Sequence, residues 1–165
     1  MEPGEALGIA AQIAVALAGF AGVVVVFRRE AVQEWSGVDK LRLRLLLANS
    51  MLPLGLCMLG LLLVTIKPMP PGIWRWCSAI LLVVTVSFVT TTTKAFRRLN
   101  LQNAQRDRGT RLIFLLFGLF GVAAMLLQLY NIVSLDAFWP FFVGIVYQLI
   151  TGMAQFTRMI LLLPE

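Results

Sequence analysis

The chain has 165 residues, 59% of them hydrophobic and 13% charged, and its 14 Lys and Arg against 8 Asp and Glu leave a formal net charge of +6. Soluble domains carry about 25% charged and about 45 to 50% apolar residues, so a polar exterior cannot be built from this sequence and the exterior is expected to face lipid. Nucleic-acid enzymes, disulfide-stapled secreted domains, disordered tails and a large extramembrane catalytic domain are excluded; what remains is an all-α, polytopic helical membrane protein, a single transmembrane domain over residues 1 to 165.

Five apolar stretches are long enough to span. The first, residues 6 to 27, follows the acidic start Met1-Glu2-Pro3-Gly4-Glu5. A cleaved secretory signal opens on positive charge instead, so this helix is expected to stay in the protein. Ala10, Ala14, Ala18 and Gly22 recur every fourth residue, with Gly8 and Gly19 close by. Such a ridge lets a second helix approach closely, and packing of this kind drives helix association in lipid. The run Ala16-Leu17-Ala18-Gly19-Phe20-Ala21-Gly22 followed by Arg28-Arg29 resembles small bacterial inner-membrane proteins. That resemblance implies a place in the bacterial inner (plasma) membrane and no particular activity.

The second stretch, 45 to 66, is preceded by Asp39 and then Leu41, Leu43 and Leu45, a pattern that can start the helix below the bilayer. Pro53 lacks an amide donor and crowds the carbonyl of Asn49, so a bend is expected near Asn49 and Ser50. The third, 72 to 93, begins after Pro68, Pro70 and Pro71 with Trp74 and Trp76, and ends on Thr90-Thr91-Thr92-Thr93. Nothing breaks helix propensity beyond it before Asn103, so this helix can continue through Lys94-Ala95-Phe96-Arg97-Arg98. The fourth covers 112 to 133, and the fifth, 137 to 163, opens on Phe138-Trp139-Pro140. Spans of 22 residues reach about 33 Å at about 1.5 Å per residue, the thickness of a bilayer core.

Charge sets the expected orientation. Arg28, Arg29, Lys40, Arg42, Arg44, Lys94, Arg97, Arg98, Arg106, Arg108 and Arg111 lie in the two connections 28 to 44 and 94 to 111, whereas the opposite side holds only Lys67 and Arg75. The excess of Lys and Arg on cytoplasmic loops places both connections inside the cell, the N-terminus outside and the C-terminus in the cytoplasm. Trp74, Trp76, Phe138 and Trp139 then form an aromatic belt at the outer interface. Arg97, Arg98, Arg106 and Arg108 are candidate contacts for anionic lipid headgroups or a partner, each base near the surface contributing about 1 kcal/mol.

The fifth helix carries the most informative pattern. Gln148, Thr151, Gln155 and Arg158 recur at spacings of three, four and three, which puts them on one face. An amide facing hydrocarbon near mid-span is costly, so this face should meet protein or water. Gln12, Gln128 and Asn131 are candidates to bond it within one subunit; the alternative is a hydrated pathway.

The missing groups matter as well. With no His, the chain lacks an ordinary neutral-pH acid/base group and any Ser/His or Cys/His nucleophile pair. Cys57 and Cys77 lack redox or zinc spacing. No Asp or Glu sits in the core of a span, which argues against proton- or sodium-coupled transport. No enzyme activity, cofactor, metal or nucleic-acid partner is expected. The leading expectation is a homo-oligomeric, passive pore for ions or small solutes, lined by Gln148, Thr151, Gln155 and Arg158. The alternative is a non-transporting scaffold or accessory subunit that offers its basic cytoplasmic loops to anionic lipid or a partner.

Overall fold

The computed structural model of the protein describes residues 2–27, 34–66, 71–98 and 108–161, with the side chains of Phe27, Val38, Phe96, Arg98, residues 108–114 and residues 159–161 left aside. The described residues are helical and contain no strand. In chain order they form α1 (Pro3–Phe27), α2 (Gly37–Thr65), α3 (Ile73–Arg98), α4 (Arg108–Tyr130), a π-helical turn (Asn131–Leu135) and α5 (Phe138–Leu161).

Four of these segments, Pro3–Val26, Asp39–Thr65, Ile73–Ala95 and Leu115–Leu135, are long and apolar enough to cross a membrane, which marks an integral membrane protein. Five such spans were expected. The fifth helix is present, at 24 residues, yet it is not among the four segments that meet both requirements. Gln148, Thr151, Gln155 and Arg158, the same residues that form its polar face, dilute its hydrophobicity.

The helices belong to two compact units, Met1–Thr65 with Gln148–Glu165, and Ile66–Tyr147; α5 contributes residues to both. In the first unit α1 packs along α2. Ala21, Trp35, Leu43 and Leu46 are buried together, with Val24, Val25 and Phe156 against them, and Phe156 stacks on Phe20 at 5.3 Å between ring centroids. The start of α2 is capped. Ser36 Oγ accepts from the Asp39 amide at 3.1 Å and donates to Asp39 Oδ2 at 2.9 Å, and Lys40 N donates to Ser36 O to open the helix. This makes Ser36 the N-cap and Asp39 the third helical residue, the S-x-x-acid spacing of a capping motif. α2 is continuous through Pro53, which is fully buried.

The small-residue ridge of α1 is only partly used for packing inside this unit. Ala10 and Ala14 are buried, Ala18 is half-buried and Gly22 is exposed, while Leu17 and Ala21 take over the covered face. A four-residue step turns about 40° too far on a helix with about 3.6 residues per turn. After three steps the ridge has rotated away from its neighbour, and the covered line shifts to the 10, 14, 17, 21 positions.

In the second unit α3, α4, the π-helical turn and the start of α5 pack together. α3 does not stop at the threonine run but continues to Arg98. Thr90, Thr91 and Thr93 return their hydroxyls to the carbonyls of Ser87, Phe88 and Val89, so an exposed hydroxyl face costs little even in lipid.

Candidate functional site

Two groups of buried polar side chains stand out, one in each unit. The first lies on the seam of α5. Gln148 is 5% exposed; Thr151, Gln155 and Arg158 are half-buried. Gln148, Thr151 and Arg158 each make a further bonding or electrostatic interaction. Gln155 Oε1 is buried and accepts no hydrogen bond among the described residues. A buried amide oxygen left without a donor costs about 1 to 3 kcal/mol.

The seam is positioned by α2. Asn49 and Ser50 are buried and turn their side chains back on their own helix, Asn49 Nδ2 to Leu45 O at 3.0 Å and Ser50 Oγ to Leu46 O at 2.9 Å. Pro53 has no amide to offer the Asn49 carbonyl. That carbonyl lies beside Gly152, where an added Cβ would sit 3.5 Å from Asn49 O and from Asn49 Cβ, and 3.6 Å from Leu17 Cδ1. Gly152 on the polar face thus brings α5 close to both α1 and α2. Of the other seam candidates from the sequence, Gln12 is exposed on α1.

The second group is centred on Asn131, which is fully buried at the start of the π-helical turn. Its Oδ1 accepts from Ala137 N at 2.9 Å, and its Nδ2 donates to Ala137 O at 3.0 Å and to Ser78 Oγ at 2.7 Å. The side-chain amide therefore pairs with the backbone of Ala137 as a peptide group would, fixing the turn from α4 into α5. The turn closes through Asp136 N to Asn131 O, with Asp136 in the left-handed region at φ 45°. Asp136 Oδ1 then accepts from Arg75 N at 2.9 Å, supplying an anionic cap to the first turn of α3.

Close by, α4 and α5 are locked reciprocally. Gln128 Nε2 donates to Pro140 O at 2.6 Å, and it lies so near Gly144 that a Cβ there would approach it to 2.9 Å. Tyr147 OH donates to Phe117 O at 2.7 Å, lying 2.7 Å from where a Cβ on Gly121 would be. In each case a polar side chain crosses a glycine and bonds the carbonyl four residues before it. Because Pro140 O is an acceptor, the Gln128 amide must point its nitrogen there, which leaves Gln128 Oε1, also buried, without a donor among the described residues. The partners found for Gln128 and Asn131 are thus Pro140, Ala137 and Ser78. Sequence reasoning did not identify the Asn131 arrangement, since an Asn six residues before a pairing partner has no periodic signature.

No known family model, curated protein or solved structure matches the chain.

Of the basic residues singled out, Arg97 is exposed near the end of α3; Arg106 and the side chains of Arg98 and Arg108 lie outside the described residues. Among the described residues no group of three or more Cys, Asp or Glu could hold a metal ion.

Proposed function

We propose that the protein is a five-span membrane protein, N-terminus outside and C-terminus cytoplasmic, in the bacterial inner membrane, and that it passes ions or small polar solutes passively along the α5 seam. The observation that carries this is the buried Gln155 Oε1, which has no donor among the described residues and sits on a line with Thr151 and Gln148. A hydrated line of amide and hydroxyl groups supplies what a small permeant needs in place of its water shell. Gln148, being 5% exposed, and the Gln155 Oε1 atom are both covered by their own chain, so the path we propose runs along the uncovered parts of the half-buried Thr151, Gln155 and Arg158, where subunits of a homo-oligomer meet. Arg158 places positive charge at the cytoplasmic mouth, which favours anions.

The test is flux from liposomes holding the purified protein. Wild type is expected to release a small anion, and Gln155→Leu to cut the rate at least about ten-fold, the cost of roughly 1.4 kcal/mol at the barrier. Flux unchanged by Gln155→Leu removes the seam from the path.

A second role, that of a non-transporting scaffold or accessory subunit, is favoured by Gly152, whose neighbours on α1 and α2 leave room for little more than a methyl group. In that case the seam is internal packing and the exposed Arg97, with the other basic loop residues, meets anionic lipid or a partner. Absence of flux from wild type supports this role.

A further inference from the structure

Gln12 lies within about one helical turn of the middle of Pro3–Val26, a segment long and apolar enough to cross a membrane, and its side chain is exposed. It makes no hydrogen bond among the described residues. The other carboxamides of the four apolar spans, Asn49, Gln128 and Asn131, are all buried. The exposed hydroxyls of Thr90, Thr91 and Thr93 on α3 are satisfied by their own helix, which Gln12 is not. An amide facing hydrocarbon at this depth is costly, so a polar group from outside the chain should meet it.

The surface around Gln12 suits a second helix. Glu5, Gly8, Gln12, Ala16, Gly19 and Val23 recur at spacings of three, four, four, three and four, which keep to one line on a helix of about 3.6 residues per turn. Gly8 is half-buried and the others are exposed. The line lies opposite the packed face of α1: Ala10 and Ala14, two residues either side of Gln12, are buried and turned about 160° from it. A Cβ added at Gly8 or Gly19 would meet nothing within 4 Å. At Gly121, Gly144 and Gly152 the missing side chain makes room for a neighbour in the same chain, whereas at Gly8 and Gly19 it leaves open surface. One turn to either side of Gln12, Gly8 and Ala16 are small enough for another backbone to approach, which brings the polar side chains of two membrane helices into bonding range.

Copies inserted in the same orientation carry Gln12 at the same depth. A carboxamide holds both a donor and an acceptor, so the group that matches Gln12 there is the Gln12 of a second copy. We propose that two copies of the chain pair through this face of α1 about a twofold axis along the membrane normal, their Gln12 amides hydrogen-bonded to each other between Gly8 and Ala16. Glu5, two turns from Gln12, ends the line at the edge of the segment, where water screens the two carboxylates. The pairing rests on the membrane reading above and supplies a subunit contact for the homo-oligomer, but it does not depend on conduction.

The test uses the full-length protein in phosphatidylcholine vesicles at falling protein-to-lipid ratio, with copies carrying donor or acceptor dyes at Arg97→Cys. Energy transfer above the random level, with a stoichiometry of two, is expected for wild type. Gln12→Leu should weaken association about ten-fold, Ala16→Ile should weaken it by blocking close approach, and Gln12→Asn should retain most of it. Under oxidation Ala16→Cys copies should cross-link, while copies with a cysteine at Leu119, exposed on α4, should not. Random energy transfer in wild type, undiminished association in Gln12→Leu, a count other than two, or equal linking in Leu119→Cys overturns the pair. Thermal unfolding of the monomer in excess detergent is expected to be the same for Gln12→Leu and wild type. A lowered midpoint, or failure to fold, would put the partner of Gln12 inside its own chain and also overturn the pair. Association is read without flux, so failure here is separate from a failure of conduction, which Gln155→Leu tests.

Discussion

At the scale of single residues, the amide side chains do most of the specific bonding. Asn131 makes three hydrogen bonds, two of them to the backbone of one residue, and its removal strands the Ala137 amide next to a buried Ser78. Asn131→Ala is therefore expected to destabilise the protein by about 2 to 4 kcal/mol, the range for buried groups left unsatisfied, moderated by the smaller values of hydrogen bonds in membrane proteins. Asn131→Asp keeps an acceptor for Ala137 N but loses both donations and buries a charge, so it should be at least as harmful. Reversible unfolding in mixed micelles measures both. A loss under about 0.5 kcal/mol for Asn131→Ala would mean that backbone geometry alone holds the turn. The glycines opposite Gln128 and Tyr147 serve the same end, since a methyl at Gly144 or Gly121 displaces the polar tip that makes the bond.

At the scale of elements, each helix start has its own device. Ser36 caps α2 from the preceding residue, whereas α3 takes its anionic cap from Asp136, 61 residues away from Arg75. Ser36→Ala should loosen the first turn of α2 by about 1 kcal/mol, while Ser36→Gly should cost only a few tenths. Hydrogen exchange at the Asp39 amide reads this locally, with a rise of roughly five-fold expected for Ser36→Ala. An unchanged rate would show that the Ser36 hydroxyl is dispensable there. The same contrast explains what could be read from the chain. The helices follow from uninterrupted apolar runs, and the common face of Gln148, Thr151, Gln155 and Arg158 follows from helical spacing; the Ser36–Asp39 cap was legible in principle from its three-residue interval. The π-helical turn and the caps formed by Asp136 and Asn131 were not, because their partners meet only after the chain has folded back. In the α1 ridge, regular spacing at four residues looks like one face on paper but winds around a real helix, so that Ala10 and Ala14 are buried while Gly22 is exposed.

At the scale of the whole molecule, the sidedness of the loops decides whether the seam mouth at Arg158 faces the cytoplasm. The charge bias makes a clear demand: Glu2 outside, Lys40 and Arg97 inside. All three are exposed. The two native cysteines, Cys57 and Cys77, are fully buried and so give little background with a membrane-impermeant thiol reagent. In intact cells, Glu2→Cys is expected to label at once, while Lys40→Cys and Arg97→Cys should label only after the membrane is opened. The α5 crossing needs its own probe, because α5 is not among the four segments found long and apolar enough to cross a membrane among the described residues. A reporter fused after Glu165 is expected to be active in the cytoplasm if α5 spans. Labelling of Glu2→Cys from outside combined with an external reporter at the C-terminus would leave four spans and put α5 at the membrane surface, where its hydrated seam would open to solvent and could not be a transmembrane path.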